Sequence, residues 1–250
     1  MVDKPIVQYV VEELARGGIE RVLFVTGRRK RAIEDHFDYD PELGAAAVPG
    51  DTMQISYTRQ PRPLGLGDAL RHAQAFAGSE GAVVALGDAI IEGPPAGGGP
   101  GIVPRLIEAY ERSGAAAALA VTEVAPGDVQ RYGIVVANDE GDVSAVVEKP
   151  RPGEVPSRLA VAARYVLGPA VFAALHDAGP DSSGEVQLAT ALERVLADGG
   201  RLVAVRLAPG ERRHDIGTVE GYCTTFIEHA LAHPALGAAL RARVSALLDG

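Results

Sequence analysis

An α/β fold, a doubly wound and mixed but mostly parallel sheet with helices on both faces, is what this sequence predicts, on three observations. Apolar runs of strand length alternate with segments of helical periodicity from residue 5 to residue 122. The run at 82–86, Ala-Val-Val-Ala-Leu, is apolar at every position, as a strand buried on both faces must be. Gly87 ends it, and Asp88 follows at the expected carboxyl edge of the sheet, where open α/β sheets bind their ligands; a plain strand-to-loop turn is the alternative.

In order, residues 5–17 place Ile6, Val7, Val10, Val11 and Leu14 at helical spacing, and Gly17-Gly18 closes that helix. A β-run at 21–26 precedes a helical pattern at 29–37. Residues 38–50, with two prolines and two glycines, read as a loop before a strand at 54–58. Helix 67–76, strand 82–86, a Pro/Gly loop at 94–101, helix 103–112 and strand 116–122 follow. From Gly127 the texture changes to three β-runs, 133–136, 143–148 and 159–167. Helices are expected at 169–175 and 184–198, a strand at 201–207, and closing helices at 217–232 and 234–248. No repeat and no long linker divides the chain, so one domain over 1–250 with one continuous sheet is expected, in halves 1–125 and 126–250.

The 250 residues, 47% apolar, suffice for a full core. A formal charge of -9 disfavours nucleic acid, whose phosphates require a basic surface. No apolar run nears the ~20 residues of a membrane span and the N-terminus lacks signal-peptide features, so a soluble, cytoplasmic protein that engages no membrane is expected. One cysteine, Cys223, rules out an internal disulfide framework.

Three stretches beside Asp88 carry possible chemistry. Residues 58–67 pass from a strand end through a Pro- and Gly-rich loop into a helix, where glycines admit a flat ligand or phosphate and a helix start offers N–H groups; a plain turn is the alternative. At Glu148-Lys149 a β-run ends in a carboxylate beside an ammonium, suited to sugar hydroxyls and to phosphate, or simply a solvated ion pair. Asp215 follows Arg213-His214 and precedes a helix. With Asp88 it could hold Mg2+, which takes one or two protein carboxylates plus phosphate oxygens; alone it reads as a helix N-cap. His36, His72 and His214 read as structural or surface residues, and 28–31 as a solvated basic face.

The order of short motifs resembles the bacterial UTP:glucose-1-phosphate uridylyltransferases, within the sugar-phosphate nucleotidyltransferase superfamily, over nearly the whole chain. The matching text is Val2-Asp3-Lys4-Pro5, Gln8-Tyr9-Val10, His36-Phe37-Asp38, Arg59-Gln60 with Gly65-Leu66-Gly67, Gly87-Asp88, and Tyr132-Gly133-Ile134-Val135. Val147-Glu148-Lys149-Pro150, Arg164-Tyr165-Val166-Leu167, the run 184–188, and His214-Asp215-Ile216-Gly217 before Gly221-Tyr222 complete it. The resemblance implies a Rossmann-like nucleotide-diphospho-sugar transferase fold and a reaction of UTP with glucose-1-phosphate giving UDP-glucose and pyrophosphate. It implies Gln60 and Gly65 at the uracil, Asp88 and Asp215 on Mg2+ with Asp88 also at the nucleotide, and Gly133, Glu148 and Lys149 at the sugar phosphate. It further implies a homo-oligomer, dimer or tetramer, to which the closing helices with Phe226, Leu231, Leu236, Leu240 and Leu247 would contribute.

Members of that family carry a strand and a glycine-rich triphosphate loop before the Val-Asp-Lys-Pro segment; here Met1 stands directly before it. The strands at 22–25 and 83–86 are therefore expected to lack a shared neighbour, which a late start codon, a strand from another chain, or a rearranged sheet would account for. A catalytically inactive relative that binds nucleotide or sugar phosphate stays open beside the enzyme. The shorter segment 39–54 bears on the subunit contact, while Ala163 in place of a glycine and Thr218-Val219-Glu220 in place of Asn-Lys-Leu leave other nucleotides and sugars open as well.

Overall fold

Side-chain alternation along one fully buried strand sets the layers. The computed structural model describes residues 2, 4–38, 53–93 and 98–248, so most of the loops expected at 38–50 and 94–101, and of segment 39–54, lie outside the described residues. Helix α1 (Ile6–Arg16) leads to β1 (Arg21–Thr26), α2 (Arg31–Phe37) and β2 (Gln54–Arg59), which pairs in parallel with β1. Then come α3 (Leu66–Ala77), β3 (Ala82–Ala85), β4 (Ala89–Glu92), α4 (Ile102–Ser113) and β5 (Ala117–Glu123). The second half adds β6 (Gly133–Ala137), β7 (Val143–Glu148), β8 (Leu159–Leu167), α5 (Pro169–Asp177), α6 (Leu188–Ala197) and β9 (Leu202–Arg206). It ends with β10 (Arg212–Asp215), α7 (Val219–Ala232) and α8 (Gly237–Leu248).

Strand β8 is the hub. Its residues 165–167 pair with both β3 and β5, and its N-terminal end with both β6 and β5, so β5 lies along one edge and β3 and β6 share the other. Successive residues of β5 then point to opposite faces. Leu119 and Val121 pack with Leu70, Leu175 and Leu192 from α3, α5 and α6. Ala118 and Ala120 pack with Val10, Leu14 and Leu106 from α1 and α4. Helices on both faces explain why the strand is apolar and buried from Ala117 to Val121.

Hydrogen-bonded pairing departs from one continuous sheet. β1 and β2 form their own ladder, β4 and β10 a second and antiparallel one, and six strands the third. β1 and β3 share no neighbour among the described residues, as expected, and a mostly apolar cavity of about 610 Å³ lies between them. Strands β4 and β10 escape the pattern reading, since Arg212-Arg213-His214-Asp215 carries no β signature. The helix expected from 184 starts at Leu188 instead, because Gly184 sits at φ 85° and the Asp181 carboxylate accepts the N–H groups of Ser183 and Glu185 in a turn. Among the described residues no helix is long and apolar enough to cross a membrane.

At Ala163 the β5–β8 register shifts and the backbone turns to φ 60°, a region natural to glycine. Ala163→Gly is expected to raise stability by up to about 1 kcal/mol, the relieved strain exceeding the added chain entropy. A urea midpoint lowered by the change would contradict this.

Candidate active site

Asp88 and Asp215 are brought together by the two strands the pattern missed. Asp88 occupies the turn between β3 and β4, and its carbonyl accepts the N–H of Ile216 at 3.0 Å. Asp215 ends β10 opposite Ala89 in β4. A Cβ placed on Gly217 would lie 3.3 Å from Asp88 Oδ2 and 3.3 Å from Asp215 Oδ1, so both carboxylates converge on one small volume that Gly217 leaves free. Asp215 is not the N-cap that its position suggested. Thr218 caps α7, its hydroxyl accepting from Gly221 N at 3.0 Å, while Asp215 Oδ1 accepts from Gly217 N at 3.1 Å.

Around this pair lies a pocket of about 450 Å³ lined by Asp88, Gly133, Glu148, Lys149 and Asp215 together, so those sequence-derived candidates do share one site. Gly133 faces Glu148 across the β6–β7 ladder, and a Cβ there would stand 3.0 Å from Glu148 Oε2. Lys149 takes φ 46°, and its N–H donates to Tyr132 O at 3.1 Å. Such strain in a non-glycine residue persists where the surroundings impose it, often at functional sites. Burial pushes the Glu148 carboxyl above its usual range, with Glu185 and Asp181 adding and Lys149 opposing.

Gln60 and Gly65 sit together, outside that lining. The Gln60 amide donates to Gly65 O at 3.0 Å and to Asp68 Oδ2 at 2.8 Å. Gly65 must be glycine: at φ 91° a Cβ would come 2.8 Å from Val186 O. The helix start is less free than its sequence suggested, since Gly67 N–H already donates to Val186 O at 2.8 Å.

Three contributors were not singled out from sequence. Arg213 stacks over the Tyr132 ring at 4.4 Å, donates to Val161 O at 3.1 Å and meets Asp215 Oδ2 at 3.4 Å. Tyr132 also hydrogen-bonds Asp215, and burial first, then that bond, raises its phenol above the ordinary value. Arg213 and Asp215 share a strand face at i, i+2, a signal that recognising β10 would have supplied. Arg164, fully buried, grips the Glu13 carboxylate at 3.0 and 2.6 Å and donates to Leu86 O and Ala89 O at 3.4 and 3.0 Å. It thus fastens both ends of the turn that carries Asp88 to α1.

Paired carboxylates and cations thus meet in one pocket at the ends of α/β strands, beside a turn gripped by Arg164. The sequence pattern of the Nucleotidyl transferase family matches residues 1–230, and the chain belongs to that family. Its relatives are more particular. UTP–glucose-1-phosphate uridylyltransferase of Streptococcus pneumoniae serotype 4 is 38% identical over 94% of this chain and 82% of its own. A second, from Staphylococcus saprophyticus, is 39% identical over 92% and 83%. UTP-bound UDP-glucose pyrophosphorylase of Acinetobacter baumannii superposes with a TM-score of 0.85 at 30% identity, covering 97% of this chain and 88% of that one.

Proposed function

We propose that the chain transfers the uridylyl group of UTP to glucose-1-phosphate. The sugar-phosphate oxygen attacks the α-phosphorus, the bond from that phosphorus to the bridging oxygen of the β-phosphate breaks, and pyrophosphate leaves. The observation that carries this reading is the convergence of Asp88 and Asp215 beside Gly217, in the same pocket as Glu148 and Lys149. Two hard carboxylate donors fit Mg2+, which would neutralise phosphate charge when bound there. Lys149 and Arg213, with Arg131 from the same pocket lining, would offset the remaining charge, Glu148 and the Gly133 backbone would receive the sugar, and Gln60 and Gly65 the uracil. Residues 1–125 would then serve the nucleotide and 126–250 the sugar phosphate. The nucleophile is already an anion, so positioning and charge neutralisation replace a general base.

The test is pyrophosphate release with Mg2+ across UTP, dTTP, CTP and ATP, each with glucose-1-phosphate and other hexose phosphates. Release with UTP and glucose-1-phosphate is expected to exceed the rest; release preferring another pair would overturn the assignment. One observation favours a second reading, binding without rapid turnover: the cavity between β1 and β3 reaches Gly87 and Asp88, leaving the strand edge beside the metal ligands unbraced. Tight UTP binding with no measurable release would select it.

Glu148→Gln should raise KM for the sugar phosphate and leave KM for UTP near its original value. Because burial raises the carboxyl in the folded chain, the native state binds the extra proton, and stability falls as pH rises from the ordinary glutamate range through the raised value. At neutral pH Glu148→Gln is therefore expected to hold or raise the melting temperature. A lower melting temperature with an unchanged sugar KM contradicts both roles.

We also propose a homo-oligomer, dimer or tetramer, built on α7, α8 and the link between them, where Phe226, Ile227, Leu236 and Leu247 are exposed. Sedimentation giving only monomer would exclude it.

A further inference from the structure

On the face of the β4–β10 ladder away from the pocket, strand alternation turns His214 toward α7. His214 is 5% exposed, and its Nε2 lies 3.0 Å from Glu92 Oε2, while His229 Nε2 lies 3.1 Å from Glu92 Oε1. Neither ring nitrogen has a hydrogen-bond partner, although both are shut off from water. An imidazolium–carboxylate pair would align N–H with oxygen; these contacts have the distance of a pair without the alignment. All three ligand atoms fall within 4.8 Å of one another. Bond lengths of 2.0–2.2 Å in a tetrahedral site would place ligand atoms roughly 3.3 Å apart, near the 3.0 and 3.1 Å that separate the Glu92 oxygens from the two imidazole nitrogens.

We propose that Glu92, His214 and His229 form a site for a divalent transition-metal ion of the zinc type, separate from the pocket that holds Asp88 and Asp215. Two imidazoles and a carboxylate suit such an ion and leave one coordination position. A carboxylate also stands behind the ring: Glu228 Oε2 lies 3.4 Å from His214 Nδ1, close enough to orient the imidazole once a bound ion turns it, and the other Glu228 oxygen accepts from Arg212 at 2.8 Å. Glu92 and His229 border a cavity of about 680 Å³ that gives an ion access. The ion would tie β4, β10 and α7 together, and with them the backbone flanking both catalytic carboxylates. Its role would be structural.

The experiment uses the full chain, stripped with a chelator and titrated with Co2+ and then Zn2+. One Co2+ per chain with the visible d–d bands of tetrahedral nitrogen and oxygen ligation is expected, displaced by Zn2+ and retained in an Asp88→Asn/Asp215→Asn variant. At a hundredfold excess over Kd, Zn2+ should raise the melting temperature by about 5–10 °C. His229→Ala and Glu92→Gln should abolish the bands, and Glu228→Gln should weaken binding about 10- to 100-fold. No tetrahedral band in the unaltered chain would overturn the proposal without reference to any variant. So would bands that survive His229→Ala or vanish only with Asp88 and Asp215.

Discussion

Asp88→Asn and Asp215→Asn are each expected to lower kcat by roughly 10³-fold, with the double variant little worse than either single one. The two carboxylates meet beside Gly217 and would act as one unit on one cation, so losing either removes the unit. Folding should survive, because Asp88 is exposed and its structural contribution is a backbone carbonyl, which asparagine retains. Far-UV circular dichroism and the melting temperature check the fold, and pyrophosphate release checks the rate. Multiplying effects in the double variant would contradict a shared cation.

Arg164→Met is expected to cost about 3–5 kcal/mol, since it leaves Glu13, with 11% of its side chain exposed, charged and unpaired, and frees two buried carbonyls. Against a total near 5–15 kcal/mol this is a large loss. Adding Glu13→Leu removes the stranded charge and should recover much of the stability. It should not recover kcat, because the turn bearing Asp88 remains unfastened. That split separates a positioning role from mere stability: a double variant restored in both would show that the grip does not act on Asp88. Denaturant midpoints and kcat on the four chains of the cycle measure it.

How much was legible in the sequence follows from what each element rests on. β5 from Ala117 to Val121 and β8 apart from Arg164 are apolar because both faces are covered, and such runs announce themselves. β10 does not, since Arg213 and Asp215 serve the pocket and His214 the opposite face, leaving no apolar residue to mark a strand. Its partner β4 was readable only as the tail of the preceding apolar run, so the ladder that aligns the two aspartates went unseen. Motif resemblance found Asp88, Asp215, Glu148 and Lys149, which line one pocket. It could not find Arg164's grip on Glu13, a contact 151 residues apart in sequence that only the assembled α1–β8 packing creates. The gap between β1 and β3 follows from the family resemblance, whereas its apolar lining and volume belong to the packed chain alone.

One measurement tests the central claim most directly: UTP labelled at the α-phosphate, incubated with glucose-1-phosphate, Mg2+ and the unaltered chain. Label is expected to pass into UDP-glucose with one pyrophosphate released per label transferred, and not to pass in Asp88→Asn or Asp215→Asn. A folded unaltered chain that transfers no label, or variants that transfer it at the original rate, would contradict the assignment.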